Sequence, residues 1–173
     1  MLTVIRDREA PRRDFIASVD RLCRFVVEEG LNHIPMIEKT IFTPSVEKSL
    51  RDIIPDIRIA KVLVQRDPKT KEANLFYSKF PPNIAEQFCL VMDPILATGG
   101  SAIAAIEALC LNGVQVSNII FLCIVSCPEG LNALTTRFPK IKIITSTVGD
   151  HLDERKYVIP DTFDIGCRYY GTD

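Results

Sequence analysis

The stretch Leu90-Val91-Met92-Asp93-Pro94-Ile95-Leu96-Ala97-Thr98-Gly99-Gly100-Ser101 decides how the rest of the chain reads. FCLVMD (88–93) is an apolar run that ends in an acid, the pattern of a strand buried on both faces. A short loop rich in Thr, Gly and Ser follows. SAIAAIEALCLNG (101–113) then puts Ile103, Ile106, Leu109 and Cys110 on one helix face, with Gly113 as the stop. Ligands of α/β proteins bind at the carboxyl ends of such strands. A helix N-terminus offers unpaired N–H groups and the positive end of a dipole, which suits a phosphate. Gly99 and Gly100 let an anion come close to the backbone. Thr98 and Ser101 add hydroxyl donors, and Asp93 is placed to accept hydrogen bonds from sugar hydroxyls. No Gly-Lys-Ser/Thr triplet follows and the spacing is not G-x-G-x-x-G. The other reading of the same residues is an ordinary strand-to-helix turn capped by Ser101, and the pattern alone leaves both open.

Outward from this stretch the alternation continues. IIFLCIVS (119–126) is a second buried strand, EGLNALTTRF (129–138) a helix and KIKIITSTV (140–148) a strand. Upstream, RIAKVLVQRD (58–67) is β-branched, NLFYSKF (74–80) alternates, and the polar DPKTKEA between them predicts a hairpin arm. Strand and helix alternating over residues 57–148 predict an α/β fold, a mainly parallel sheet flanked by helices. Near the start, Phe15, Val19, Leu22, Cys23 and Val26 mark a helix between Asp14 and Gly30. Residues 31–56 read least clearly: a short apolar run in LNHIPMIEKTIFTP, then a short helix from Ser45 to a stop at Pro55.

The 173 residues suit a single domain, residues 1–173, at roughly 150 residues per domain. The net charge of -1 excludes binding to nucleic acid through a broad positive field. No apolar run reaches the roughly 18 residues of a membrane span. No basic-then-apolar leader follows Met1, so a secretory signal is not expected. The chain opens so directly into structure that further residues ahead of Met1 are expected in a parent protein. The six cysteines, Cys23, Cys89, Cys110, Cys123, Cys127 and Cys167, sit mostly in apolar segments without zinc-ligand spacing. They read as buried, reduced thiols, which favours the cytoplasm or the nucleus.

DPILATGGSAIAAIEAL resembles the phosphoribosyl-pyrophosphate signature of the uracil phosphoribosyltransferase family. Other phosphoribosyltransferases usually carry two adjacent acids where this chain has Met92-Asp93. LTVIRDRE, RLCRFVVEEGLN, RIAKVLVQRD, CPEGLNAL and RYYGTD also look like family segments, in family order. The chain further resembles the C-terminal domain of uridine kinase-like proteins. The resemblance implies a type I phosphoribosyltransferase-like fold and a glycosyltransferase reaction of pyrimidine salvage: uracil and phosphoribosyl pyrophosphate give uridine monophosphate and pyrophosphate. It implies that Asp93, Pro94, Ile95, Leu96, Ala97, Thr98, Gly99, Gly100 and Ser101 hold the ribose and 5-phosphate. Arg66 would reach the pyrophosphate from the base of the hairpin arm, its other reading being a solvated arginine beside Asp67. Val158, Phe163, Asp164 and Ile165 fall in the uracil loop, where backbone groups read the base. Asp93 and Asp164 are the implied catalytic residues. Magnesium would arrive with phosphoribosyl pyrophosphate, with no metal held by protein ligands alone. Neither His33 nor His151 matches a family catalytic position. A homodimer or higher assembly is implied, with no nucleic-acid or membrane partner.

Two departures accompany the resemblance. Between Pro44 and Ser45 the family has a further stretch, with a core strand and an Arg-Ala-Gly loop that binds pyrophosphate. One family core strand therefore looks missing: either the sheet is rearranged or the sequence comes from an altered transcript or gene model. In the base loop, Asp161 and Phe163 stand where the family has glycines, and Cys167 where it has an acid. The alternative function is a catalytically inactive binding or regulatory module, possible also as a partner of a uridine kinase. No kinase P-loop occurs in this chain.

Overall fold

The structure, a computed structural model, describes residues 1–34, 39–42, 57–66, 73–160 and 165–172. Two apolar strands organise it. β4 (Phe88–Met92) and β6 (Ile119–Ser126) pair in parallel, with Cys89 opposite Ile119 and Met92 opposite Leu122. Successive side chains of a strand point to opposite faces, so each strand feeds two cores. Leu90, Met92, Ile120, Leu122 and Ile124 meet Phe15, Val19 and Val26 of helix α2 (Arg12–Asn32). Cys89, Val91, Ile119, Phe121 and Cys123 meet Ala102, Ile106 and Leu109 of α3 (Gly100–Leu111) and Leu134 of α4 (Pro128–Arg137). Every residue of β6 is buried. That double burial is why its sequence is uniformly apolar.

The other strands extend this pair. β1 (Lys39–Phe42), β2 (Arg58–Arg66) and β3 (Ala73–Lys79) lie to one side in the order β3-β2-β1-β4, and β7 (Lys142–Val148) lies beyond β6. Within this sheet, every pairing among the described residues is parallel except β2 with β3. The interior slot expected to be affected by the missing strand is occupied. β1 stands between β2 and β4, with Thr40 opposite Arg58 on one side and Cys89 on the other. The sheet thus keeps its pairing where a gap would expose buried N–H and C=O groups, each costing on the order of 1–3 kcal/mol.

The hairpin arm forms as expected. β1 pairs only with residues 58–60 of β2, and from Lys61 to Arg66 the strand pairs with β3. Arg66 pairs with Ala73, next to the turn. It therefore sits at the tip of the arm and not at its base, because the ladder continues to the last residue of β2. The turn at 67–72 and the short helix expected from Ser45 lie outside the described residues.

Helix α2 runs past its expected stop. Gly30 is buried within it, with the Leu122 side chain 2.9 Å from where a Cβ would stand, and the helix ends at His33. A short α1 (Leu2–Arg6) precedes it, and α5 (Ile165–Tyr170) follows the base loop. The two ends of the chain clasp each other. Arg168 donates to Asp7 O and Ala10 O at 2.9 and 2.8 Å and lies 4.1 Å over the Phe15 ring. Arg12 donates to Arg168 O and Tyr169 O, and the Tyr169 hydroxyl to Asp20 at 2.7 Å.

Cys23, Cys89, Cys123 and Cys127 are buried and unbridged, and Cys110 is half-buried. Burial pushes the thiols of Cys23, Cys89 and Cys123 up to about 12. Among the described residues, no helix is long and apolar enough to cross a membrane.

Candidate functional site

The stretch after β4 does not leave the sheet as a free loop. Asp93 N–H donates to Leu122 O at 3.1 Å, and Pro94 O accepts from Ile124 and Val125 N–H, both at 3.1 Å. Ile95 and Leu96 then form a two-residue strand, β5, opposite Val125 and Ser126 of β6. Cys127 N–H donates to Leu96 O at 3.0 Å. Proline has no N–H to give the ladder, so the strand breaks at Asp93-Pro94 and resumes. The break lifts half-buried Asp93 out at the carboxyl end of the sheet, where Ile95 N–H donates to its Oδ1 at 3.4 Å. The expected loop is therefore part strand.

Gly99 is the N-cap of α3, with φ +82, and no side chain caps the helix. Left-handed backbone costs a non-glycine residue about 1–2 kcal/mol, which accounts for glycine here. Ser101 lies inside the first turn, so the expected Ser101 cap is replaced by a glycine one. The first amides of α3 carry no side-chain cap, the arrangement that suits an anion.

Gly130, near the start of α4, was not singled out in the sequence. A Cβ there would strike Ala97 O and stand 2.8 Å from Leu96 O. α4 thus presses its backbone onto the loop backbone from behind. The signal available was a glycine in the first turn of an otherwise good helix.

A cleft of about 260 Å³ opens in front of the loop. Its walls include Val62 and Val64 of the arm, Asp93, and Ser101 and Ala105 of α3. That is near the lower end of small-molecule sites, roughly 300 Å³. A larger opening of about 760 Å³ lies at the other end of α3, beside Leu111, Phe138, Lys140 and the Arg137–Glu107 ion pair at 2.7 Å. It includes none of the expected site residues.

The second part of the site follows β7. Gly149 N–H donates to Ser126 O at 2.8 Å, and the chain enters a small antiparallel pair, β8 (His151–Leu152) and β9 (Val158–Ile159). Asp153 builds the turn between them: its Oδ1 accepts from Arg155 and Tyr157 N–H at 2.9 and 2.8 Å. The Ile159–Pro160 peptide is cis. Val158 is 2% exposed and packs in the core. Ile165 is likewise buried, at the start of α5. Asp161, Phe163 and Asp164 lie outside the described residues, as does the side chain of Arg66.

Glu129 was also missed. Its Oε2 accepts from the Cys127 thiol, and its Oε1 from Leu152 N–H at 3.3 Å. These bonds, the thiol's first, hold the exposed carboxylate below its usual range. Burial first, and then Glu129, pushes the Cys127 thiol up to about 11.

The loop at 93–101 and the hairpin of β8 and β9 thus both rest on Ser126–Gly130. His33 is on the surface beside Glu29, at 3.2 Å, and His151 is exposed on β8. Among the described residues, no three His, Cys, Asp or Glu side chains converge on a point where a metal could sit.

Known proteins match this arrangement. A sequence model of the uracil phosphoribosyltransferase family matches residues 44–172. The chain is 39% identical to the uracil phosphoribosyltransferase of Dictyostelium discoideum, covering 100% of this chain and 91% of that one. It is 40% identical to uridine kinase-like protein 3 of Arabidopsis thaliana, covering all of this chain and 42% of the relative. The fold superposes on the AQ2163 protein of Aquifex aeolicus with a TM-score of 0.87 at 22% identity, covering 99% and 92% of the two chains. The Dictyostelium alignment runs over 197 positions against the 173 of this chain, so at least 24 positions of the relative have no counterpart here. The family match begins at Pro44, where the sequence reading placed a missing stretch. With the match spanning most of the chain, and with that identity over its whole length, the chain belongs to the uracil phosphoribosyltransferase family.

Proposed function

We propose that the chain transfers the phosphoribosyl group of phosphoribosyl pyrophosphate to uracil, giving uridine monophosphate and pyrophosphate. The observation that carries this reading is the break at Asp93-Pro94. It sets a carboxylate beside an uncapped helix N-terminus at the carboxyl end of a parallel sheet. In this reading the backbone N–H groups at the start of α3, with the Thr98 and Ser101 hydroxyls, hold the 5-phosphate. Asp93 accepts from the ribose hydroxyls and orients the ring. The reacting C1 carbon then faces the hairpin that carries Val158, whose backbone, with Asp164 and Ile165, reads uracil. Charge builds on the ribose as the bond to pyrophosphate breaks, so the protein acts by positioning and electrostatic stabilisation. Magnesium travels with the substrate and neutralises the departing pyrophosphate.

A second reading, binding without turnover, draws on the positions of the Dictyostelium relative, at least 24, that have no counterpart here. Incubation of the purified chain with labelled uracil, phosphoribosyl pyrophosphate and magnesium separates the two. Label in uridine monophosphate supports transfer. Its absence from a sample that melts cooperatively, and still binds phosphoribosyl pyrophosphate, supports the binding module.

A further inference from the structure

The segment Ser126–Gly130 touches both halves of the site. Leu96 O accepts from Cys127 N–H, and the Gly130 backbone lies directly against Ala97 O, on the phosphate side. Ser126 O accepts from Gly149 N–H, and the Glu129 carboxylate from Leu152 N–H, on the base side. Leu152 is the residue paired with Val158. Only a few bonds locate this hairpin. β8 and β9 are two residues each, and the turn between them is satisfied from within by Asp153. Asp150 N–H is used on Ile159 O, inside the same unit. Outside its own ladder, among the described residues, the hairpin is held by the Val158 and Leu152 side chains packed on the core, by the Gly149–Ser126 backbone bond at its base and by Glu129.

We propose that Glu129 is a positioning residue: its carboxylate fixes the height of the base-side hairpin over the phosphate loop, and so sets affinity for the base without touching it. This rests on the proposed transfer reaction for its functional half, while the tether itself is a property of the folded chain. Cys127 completes the anchor. Its thiol donates to the other carboxylate oxygen and holds the side chain in the rotamer that reaches Leu152. Charge-assisted bonds of this kind are stronger than neutral ones.

The test compares the full chain with Glu129→Ala and Glu129→Gln, reading amide hydrogen exchange alongside the KM values for uracil and phosphoribosyl pyrophosphate. In Glu129→Ala, Leu152 N–H is expected to exchange about tenfold faster, with β6 amides unchanged. The KM for uracil is expected to rise about tenfold, while that for phosphoribosyl pyrophosphate stays within about twofold. Glu129→Gln keeps an oxygen that can accept from Leu152 and should recover most of both effects. A purely stabilising role would move both KM values together or neither, and either result overturns the proposal. So does unchanged exchange at Leu152. A wild-type chain that makes no uridine monophosphate removes the transfer reading instead. The exchange comparison then decides the tether alone: faster exchange at Leu152 supports it and unchanged exchange refutes it.

Discussion

Residues 93–101 are supported on three sides by continuous structure: the β4 ladder before them, the β6 backbone beside them and the twelve residues of α3 after them. The hairpin of β8 and β9 has two-residue strands and, among the described residues, leans on the molecule through the Val158 and Leu152 side chains, one backbone bond at its base and the Glu129 carboxylate. The contrast is between a half built into the sheet and a half hung from it. In the proposed reaction a rigid anion cradle would cost no reorganisation when charge develops, whereas a lightly held hairpin would adjust to the base. The same contrast explains which changes should damage binding of which substrate.

The largest effect is expected at Asp93. Asp93→Asn keeps the backbone bonds that hold the loop but removes the charge, so uridine monophosphate formation should fall about 100-fold or more. The melting temperature should stay within a few degrees. Wild-type rates would remove Asp93 from the ribose contact. Next come paired substitutions that press on each half. Gly130→Val drives a side chain into Ala97 O, and Gly149→Val drives one into Val158 and Ile159 O. Each should cost about 1–3 kcal/mol of stability by overpacking. The first should raise chiefly the KM for phosphoribosyl pyrophosphate and the second that for uracil. Matching losses from both would mean that the halves are not separate.

Smaller effects follow pH. The carboxylate of Glu129 sits below its usual range in the folded chain, so its contribution is present above the ordinary carboxylate range. It is lost as pH falls through the lowered value. Cys127, Asp150 and His151 surround it. Protection of the Leu152 N–H, taken against the intrinsic exchange rate at each pH, should fall on acidification before that of the β6 amides, and Glu129→Gln should flatten that response. At the other extreme, the thiols of Cys23, Cys89 and Cys123 are held near 12 against 9.0 when free. Stability from keeping them protonated is complete below 9.0 and declines as pH rises through 12, because the unfolded chain loses protons first. Denaturant midpoints at pH 8 and pH 10.5 should show the decline.

The supported half was also the legible one. β4, β6, β7 and α3 carry apolar runs or a helical period long enough to read, and the β2–β3 arm announced itself by alternation around a polar turn. That a buried strand runs up to the acid Asp93 was readable from the sequence. What escaped was short or distant. β1, β5, β8 and β9 have two to four residues each, too few for a period. Arg66 could be assigned to the arm but not to its tip, because pattern does not reveal how far a ladder runs. The N-cap moved from Ser101 to Gly99 because backbone angle, not side-chain chemistry, starts α3. Glu129 and Gly130 matter through contacts 23 and 33 residues away in sequence, with Leu152 and Ala97 respectively, which no local spacing displays.

The most direct measurement is a crystal structure of the full chain with uridine monophosphate. The account predicts the phosphate on the amides at the start of α3, the ribose hydroxyls on Asp93 and the base beside the Val158 backbone. Nucleotide seated instead in the opening beside Phe138 and Lys140, with residues 93–101 vacant, would contradict it.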